Sequence, residues 1–167
     1  FDRFHKNAKN IYQLYRWTEA MNGQPAESDV YMPSPLGPAL KQDFPDVVHY
    51  VRFYDGWRQT FIKVDGTVSL MRVSYCDPSI FSVFTFPVKY GSPKHALDNL
   101  QNVVITDDKA KELFGTDNVV GRTIEIKVDE NFVPFTVTAV MQNVPANSSI
   151  QFELLGNFRY METTKSA

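Results

Sequence analysis

Two β-rich runs meet at a tight-turn dipeptide in Phe61-Ile62-Lys63-Val64-Asp65-Gly66-Thr67-Val68-Ser69-Leu70-Met71-Arg72-Val73. β-branched and aromatic residues are concentrated on both sides of Asp65-Gly66, which is typical of strands. Glycine adopts positive φ at no steric cost, and the tight turns that join neighbouring antiparallel strands need that conformation. The stretch therefore predicts a β-hairpin and a domain built on an antiparallel or mixed sheet.

A second hairpin is predicted further along the chain. Apolar and polar residues alternate cleanly over residues 123–128, which indicates a strand with one buried face. Residues 132–141 form the next predicted strand, and Asp129-Glu130-Asn131 makes the connection a hairpin turn. We expect this strand to be interrupted at Pro134, because proline has no N–H to donate to a sheet.

Short helices are predicted between the strands. Helical spacing of apolar residues, or a Pro or Asp suited to a helix start, marks residues 35–44, 80–84, 93–97 and 107–114. Asp77 is expected to cap the second of these helices, Thr106-Asp107 to cap the last, and Gly115 to end it in the left-handed conformation. Strands outnumber the short, interspersed helices, which favours an α+β fold with a mixed sheet and β-hairpins.

The helices and the last apolar run set the expected domain organisation. A helix flanked by strands occurs around residues 36–44 and again around 107–114, which is compatible with two small β-α-β lobes. Residues 150–155 fit either a final strand or the start of a helix. We expect one domain over residues 1–160, followed by a polar tail at 161–167.

The beginning of the chain is ambiguous. Over residues 2–15, apolar side chains recur at spacings of three and four, which indicates a helix. From Ile11 onward the same residues also fit a strand with aromatic residues on one face, and we favour a short helix that runs into a strand. Residues 21–29 contain Gly, Pro and Ser and are predicted to form a loop.

The composition is that of an ordinary globular domain. Of 167 residues, 43% are hydrophobic and 22% are charged, and no run approaches the roughly 18 apolar residues of a membrane-spanning helix. The formal net charge is −2 with scattered Lys and Arg, which disfavours a nucleic-acid partner. Cys76 is the single cysteine, so the chain has no internal disulfide framework. Because the sequence begins at Phe1 without Met, we expect a fragment of a longer protein.

Motifs for catalysis or cofactor binding are not recognisable. His5, His49 and His95 lie far apart, and none has a second ligand at the spacing of a metal site, so surface or packing roles are favoured. No pair of glycines has the spacing of a phosphate-binding loop. No serine sits in a nucleophile elbow, and Cys76 is read as a partly buried small residue. We therefore expect a non-catalytic domain without a cofactor or a bound metal.

One loop suggests a binding surface. Tyr54-Asp55-Gly56-Trp57-Arg58 offers Tyr54, Trp57 and Arg58, and these residue types are enriched at the energetic centres of protein interfaces. A turn with a buried Trp57 is the alternative interpretation. We take these three residues as candidates for contact with a partner or a substrate.

Several stretches resemble the MacB-like periplasmic core domain of FtsX-like ABC-transporter permeases of the Bacteroidetes type. They include Phe81-Ser82-Val83-Phe84-Thr85-Phe86-Pro87 and Val144-Pro145-Ala146-Asn147-Ser148-Ser149-Ile150-Gln151-Phe152. The other matching stretches are residues 1–12, 35–45, 91–93, 104–115 and 120–124, in the same order as in the family. Together these stretches cover most of the chain.

The resemblance implies a porter-like domain on the periplasmic side of an inner-membrane permease, between its first and second membrane helices. It implies as partners a cytoplasmic ATPase, a second permease copy and a periplasmic protein, peptide or lipoprotein. In the family, ATP energy does mechanical work across the membrane through the outer domains. The alternative is an extracytoplasmic ligand-binding or sensor domain, which would need a deep pocket lined by aromatic and polar groups.

Overall fold

The computed structural model describes residues 4–20, 26–56 and 58–164. The strands found there are β1 (Arg16–Thr18), β2 (Glu27–Asp29), β3 (Phe53–Tyr54), β4 (Gln59–Val64), β5 (Thr67–Cys76), β6 (Val88–Gly91), β7 (Asn102–Thr106), β8 (Thr123–Val128), β9 (Asn131–Met141) and β10 (Leu154–Asn157). The helices are α1 (Leu36–Asp43), α2 (Ile80–Val83), α3 (Asp107–Phe114) and α4 (Phe158–Thr164), with single 3-10 turns at Ala8–Asn10 and Pro93–His95. The predicted α+β class is confirmed.

Six strands form a closed ring. Their order is β10, β7, β9, β8, β4, β5, and a parallel pairing of β5 with β10 completes the circuit. The β7–β9 pair is also parallel, whereas the other neighbours in the ring are antiparallel, so the sheet is mixed as predicted. β3 pairs with β5, and β6 pairs with β9. Closure of this kind removes the exposed edges that an open sheet would carry.

The core has two parts, one on each face of the ring. Every ring strand contributes a buried side chain to the first part, which includes Ile62, Met71, Val103, Ile124, Phe135 and Leu154. The second part takes the next residues along β7 and β10, Val104 and Leu155, together with Ile80 of α2 and Phe86. Because successive side chains of a strand point to opposite faces, the first part fills the inside of the ring and the second covers its outside.

Both predicted hairpins are confirmed. The turns are at Asp65-Gly66, where both residues have positive φ, and at Asp129-Glu130, where Asp129 has φ of 51°. The expected interruption at Pro134 is wrong, since β9 runs unbroken and Pro134 lies opposite Glu125. Counting back from the turn, this is a position without hydrogen bonds to β8. On its other side β9 pairs with β7 only from Thr136 onward, so the missing N–H costs the sheet nothing.

Three helices lie where the sequence predicts them, but their caps differ, and the helix predicted at residues 93–97 is only the 3-10 turn Pro93–His95. α1, α2 and α3 fall within the predicted segments, and Gly115 ends α3 with φ of 70°. The expected cap by Asp77 is wrong, because its carboxylate accepts hydrogen bonds from the charged guanidinium of Arg52, a stronger donor than a backbone amide. The side chain of Thr106 makes no capping hydrogen bond either.

The first thirty residues depart most from prediction. The expected helix over residues 2–15 is reduced to a turn followed by the 3-10 turn at Ala8–Asn10, and the strand begins only at Arg16. The loop expected at residues 21–29 is wrong at its end, because Glu27–Asp29 forms β2 and pairs with β1 in a separate two-stranded ribbon. Residues 21–25 lie outside the described part.

The end of the chain resolves the strand-or-helix alternative. The strand β10 begins at Leu154, later than expected, and leads directly into α4. This helix extends to Thr164, past the point at which the sequence suggested a polar tail, and Met161 is buried. Residues 165–167 lie outside the described part.

Candidate functional site: the two ends of the chain meet on one segment

Two residues of the candidate surface, Tyr54 and Arg58, lie beside the second half of β5. Tyr54 ends β3 and is half-buried, Arg58 is exposed, and Trp57 lies outside the described residues. The loop is held close to β5, because the Ser74 hydroxyl donates to the Asp55 carbonyl at 3.0 Å. A Cβ on Gly56, which has φ of 60°, would lie 2.0 Å from the carbonyl oxygen of Val73. The position of the loop is therefore fixed by its backbone.

A second site was not anticipated from the sequence, and it centres on residues 77–86, which we call the clasp segment. It includes α2 and the extended residues after it. The N-terminal segment, residues 4–10, lies along this segment and is tied to it by hydrogen bonds. Thr85 N–H donates to His5 Nδ1 at 3.0 Å, Lys6 N–H donates to Thr85 Oγ1 at 3.0 Å, and Asn7 Nδ2 donates to the Ser82 carbonyl at 3.1 Å.

Aromatic packing reinforces these bonds. The buried His5 ring meets Phe84 and Phe86 edge to face, with centroids 5.0 and 5.6 Å apart. Phe86 in turn meets Phe152 at 5.4 Å, which joins the cluster to the outer part of the core. Edge-to-face contacts of this kind add to the free energy gained by burying the rings. The start of the described chain is thus anchored in the core through one histidine.

The other end of the clasp segment holds the C-terminal helix through Arg52. The Arg52 guanidinium donates to Asp77 Oδ1 at 2.7 Å and to Oδ2 at 3.0 Å, and also to Glu162 Oε1 on α4 at 2.8 Å. The guanidinium carbon also lies 4.1 Å from the ring centroid of Phe158, the first residue of α4. One cation therefore connects the start of the clasp segment with both ends of the last described helix.

The electrostatics of this cluster keep Arg52 charged. Hydrogen bonding to Asp77 raises the pKa of Arg52, against the opposing effect of burial, and the charges of Asp77 and Glu162 act in the same direction as the hydrogen bond. The side chains of Arg52 and Asp77 are 15% and 8% exposed, so solvent screens this pair little. Removing one partner would leave a partly buried charge without its counter-ion.

Two further contacts fix α4 on the ring. Asn157 Nδ2 donates to the Leu97 carbonyl at 2.6 Å, and Asn157 Oδ1 accepts from the N–H of Arg159, so this side chain also caps the helix. Tyr160 meets Phe135 inside the ring at a centroid distance of 4.8 Å. Helix α4 is consequently part of the core and is not an appendage.

The clasp segment and the contacts it makes with residues 4–10, Arg52 and α4, together called the clasp, join residues that are distant in the sequence. Arg52 and Glu162 are 110 positions apart, and His5 and Thr85 are 80 apart. A local pattern cannot reveal such pairs. Two sequence features could have suggested the ion pair: Arg52 lies in a β-rich stretch, and Asp77-Pro78 shortly precedes α2.

The described residues do not assemble an evident metal site. No group of three or more His, Cys, Asp or Glu side chains able to hold a metal ion is found in the ranges that the structure covers. Cys76 is fully buried, and this burial raises the pKa of its thiol well above the ordinary value. Two recesses of about 400 and 220 Å³ border residues 5–10 and the clasp segment. Both are bounded by the N-terminal segment.

Comparison with known families identifies the class of the domain. The sequence profile of the MacB-like periplasmic core domain matches residues 1–166, so the chain belongs to that family. The resemblance noted from the sequence is thereby confirmed. No curated protein sequence matches the chain. The chain is accordingly an extracytoplasmic domain of an ABC-type permease. Within the described ranges, no helix has the length and apolar character needed to cross a bilayer.

Solved structures share the fold at low sequence identity. A domain described as part of a permease protein from Porphyromonas gingivalis has a TM-score of 0.64 at 20% identity, over 75% of this chain and 57% of that one. The periplasmic region of MacB from Actinobacillus actinomycetemcomitans has 0.56 at 17%, over 80% and 58%. The extracellular domain of the noncanonic ABC-type transporter YknZ from Gram-positive bacteria has 0.54 at 16%, over 78% and 64%. This chain spans less than two thirds of each solved chain.

Proposed function

We propose that this domain transmits an ATP-driven conformational change from the membrane part of a permease to its extracytoplasmic side. The observation that carries the proposal is the attachment of both ends of the described chain to one clasp segment. Residues 4–10 bind it through His5 and Asn7, and α4 binds it through Arg52. A displacement applied at the N-terminal side would reach the ring through the clasp segment, and α4, which continues directly from β10, is joined to the same segment through Arg52.

The ring is suited to this role because it resists deformation. Each ring strand is hydrogen-bonded to neighbours, and interiors packed at native density transmit displacement instead of absorbing it. Hinge and shear motions in proteins carry such rigid bodies as units. The role is mechanical and non-catalytic, and it requires no bound cofactor.

The partners in this proposal are a cytoplasmic ATPase, a second copy of the permease and an extracytoplasmic protein, peptide or lipoprotein. We propose the loop with Tyr54, Trp57 and Arg58 as the surface that faces the last of these. In its support, the exposed Arg58 and the half-buried Tyr54 lie on a loop whose backbone is held against β5. Rigid loops lose little entropy on binding a partner.

The test uses the full-length permease, reconstituted with its ATPase. A spin label at Glu130→Cys, at the exposed tip of the second hairpin, reports the distance between two copies with and without ATP. The native Cys76 is buried and its pKa is raised, so it resists labelling. The variant Asn7→Ala/Glu162→Ala removes the Asn7 hydrogen bonds to the Ser82 and Val83 carbonyls on one side of the clasp and the Arg52–Glu162 ion pair on the other.

We expect ATP to change the distance in the parent protein and this change to shrink by about half or more in the clasp variant, because the contacts that join residues 4–10 and α4 to the clasp segment are weakened. Asp65→Asn is the matched control, since it removes an Arg–carboxylate pair on the ring far from the clasp. An unchanged ATP response in a folded clasp variant would refute the proposal. A response to a small molecule but none to ATP would favour the ligand-binding or sensor alternative.

A further inference from the structure

The ribbon β1–β2 exposes an unusual set of side chains. Among the described residues, every Tyr or Trp that is mainly exposed lies in or next to this ribbon: Tyr12 (83%), Tyr15 (63%), Trp17 (67%) and Tyr31 (80%). Leu14 and Val30 are exposed beside them. The other described tyrosines are half-buried. Exposed aromatic residues gathered in one place mark an interaction surface.

The two faces of the ribbon differ in character. Arg16 pairs with Asp29 across the strands, and their side chains form an ion pair at 2.7 Å on one face. Trp17 lies opposite Ser28 on the other face, because side chains alternate along a strand. By the same alternation Tyr15 belongs with Trp17. Over its paired residues the second face is therefore aromatic and uncharged, although it faces solvent, and by the same alternation the exposed Glu19 borders it just after β1.

Charge does not point to an ionic partner. Residues 4–20 and 26–31 contain three cations, Lys6, Lys9 and Arg16, and three anions, Glu19, Glu27 and Asp29, so their formal charges cancel. An acidic peptide or a nucleic acid would be met by an excess of cations. A surface that complements this face is therefore expected to be uncharged overall and to offer both apolar and polar groups.

Size argues against a stable protein–protein interface. Such interfaces bury about 800 Å² on each partner and use roughly 20–30 residues a side. Among the residues that the structure describes between positions 12 and 31, six large apolar or aromatic side chains are exposed. Side chains that enter a lipid headgroup region act one by one and need no matching partner surface, and Trp and Tyr are the residues enriched there.

We propose that the aromatic face of the β1–β2 ribbon rests on the lipid headgroup region of the adjacent bilayer leaflet. The inference depends on the family assignment, which places the domain beside a membrane, and it goes beyond the transmission role. Contact through Tyr15 and Trp17 would fix the height and tilt of the domain next to the N-terminal side of the clasp. The ring would then move against a support on the membrane surface.

The experiment measures contact of Trp17 with lipid. The chain is attached through an N-terminal histidine tag to vesicles of phosphatidylethanolamine and phosphatidylglycerol that contain a nickel-chelating lipid. The Trp57→Phe variant keeps Trp17 as its only tryptophan. The control, Trp17→Phe/Trp57→Phe/Phe61→Trp, carries its only tryptophan on the ring, at a position that is 44% exposed. Both proteins are tethered identically, so only orientation distinguishes them.

In vesicles with shallow brominated lipid, we expect the fluorescence of Trp17 to fall by about half and that of the control to stay unchanged, since quenching needs contact with the lipid. Equal quenching of both reporters, or none at Trp17, would overturn the proposal. Without the tether, Tyr15→Ser/Trp17→Ser should lower the fraction that floats with vesicles several-fold, with little dependence on salt. Flotation that requires phosphatidylglycerol and disappears in high salt would also overturn it, and neither result bears on the clasp experiment.

Discussion

The closed ring and the N-terminal ribbon use similar residues with opposite results. Phe135 of the ring is 1% exposed, whereas Trp17 of the ribbon is 67% exposed. The ring strands extend to eleven residues and bury both faces of β7, whereas each ribbon strand has three residues and no buried one. A two-stranded ribbon cannot bury an apolar face by itself. Burial here follows from closure of the sheet and does not follow from residue type.

Truncating one large aromatic side chain in each region should give the largest difference in stability between the closed ring and the ribbon. Phe135→Ala is expected to cost about 3–5 kcal/mol in the free energy of unfolding, because it opens a cavity inside the ring and removes the contact with Tyr160. Trp17→Ala should cost less than about 0.5 kcal/mol, as exposed substitutions generally do. Urea unfolding followed by circular dichroism measures both values.

Similar costs at the two positions would show that the ribbon is packed against the ring, and the contrast would fail. The slope of the free energy with urea concentration should stay the same in both variants, which confirms that the same cooperative unit is being unfolded.

Removing the charge of a clasp carboxylate should have the next largest effect. Asp77→Asn replaces an acceptor of three Arg52 hydrogen bonds by a side chain whose NH₂ group opposes the guanidinium. We expect a loss of about 2–3 kcal/mol, because the carboxylate that remains beside Arg52, that of Glu162, is more exposed to solvent.

Asp65→Asn is the control for this substitution on the ring surface. Its carboxylate also pairs with an arginine, Arg122, at 2.8 Å, but is 74% exposed. Pairs of that kind contribute less than about 1 kcal/mol. Thermal and urea unfolding of the two Asn variants would contradict this interpretation if they gave equal losses.

The sequence predicted local features of the fold and missed its closure. Asp65-Gly66 and the alternation over residues 123–128 announced the hairpins, since a turn and its strands are adjacent in the chain. The parallel pairing that closes the ring joins Val73 to Leu154, about eighty positions later, and no local pattern records such a register. The ribbon was misjudged for a related reason: three-residue strands are too short for a period of two to stand out against a period of 3.6.

The candidate site likewise has a part that the local sequence predicts and a part that it does not. Tyr54, Trp57 and Arg58 could be proposed because interface-type residues are contiguous, and their role stays a prediction. The clasp could not, because its contacts come from four separate segments and its key residues, Arg52 and His5, have no motif around them. Asp77 was noticed but given the wrong role, since the helix start next to it suggested a cap whereas the nearest cation was distant in sequence.

The link between the two regions can be weakened without disturbing the ring. His5→Ala removes the acceptor of the Thr85 N–H and the aromatic side-chain contacts with Phe84 and Phe86. We expect residues 4–10 and the Thr85 amide to exchange hydrogen faster, corresponding to roughly 1 kcal/mol of local opening, while the exchange of β7 amides stays unchanged.

His5→Asn tests whether the hydrogen bond itself matters. The Asn Oδ1 can accept from the Thr85 N–H, so part of the lost protection at Thr85 should return, although the aromatic packing does not. Equal exchange of the Thr85 amide in the Ala and Asn variants would mean that the hydrogen bond adds no protection there. A loss of protection that spreads to β7 would mean that His5 supports the ring instead of tying the N-terminal segment to it.

Breaking ion pairs should give the smallest stability difference between the ring and the ribbon. The pH dependence of that difference tests whether the charges cause it. Beside the ring, Lys89 of β6 binds Asp107 of α3 at 2.8 Å and Asp117 at 2.5 Å, and Lys111 also binds Asp107. The hydrogen bond from Lys111 and then that from Lys89 lower the pKa of Asp107, and Lys89 lowers the pKa of Asp117, from an ordinary value near 3.8. A lowered pKa in the folded state stabilises the protein above the ordinary value, and this contribution disappears as the pH falls through the lowered pKa.

Asp107→Asn/Asp117→Asn should therefore reduce the thermal unfolding midpoint at about pH 7, and the difference from the parent should be smaller at the lowest pH at which the parent still folds, because the parent's carboxylates become protonated as the pH falls through their lowered pKa. Asp29→Asn, which breaks the Arg16 pair of the ribbon, should leave the midpoint unchanged at both values, because the ribbon is not part of the ring's core. The shift for the ring variant is small because these side chains are partly hydrated and salt screens them. If the difference persisted undiminished at low pH, it would come from lost packing or helix-start interactions of α3 and not from the charges.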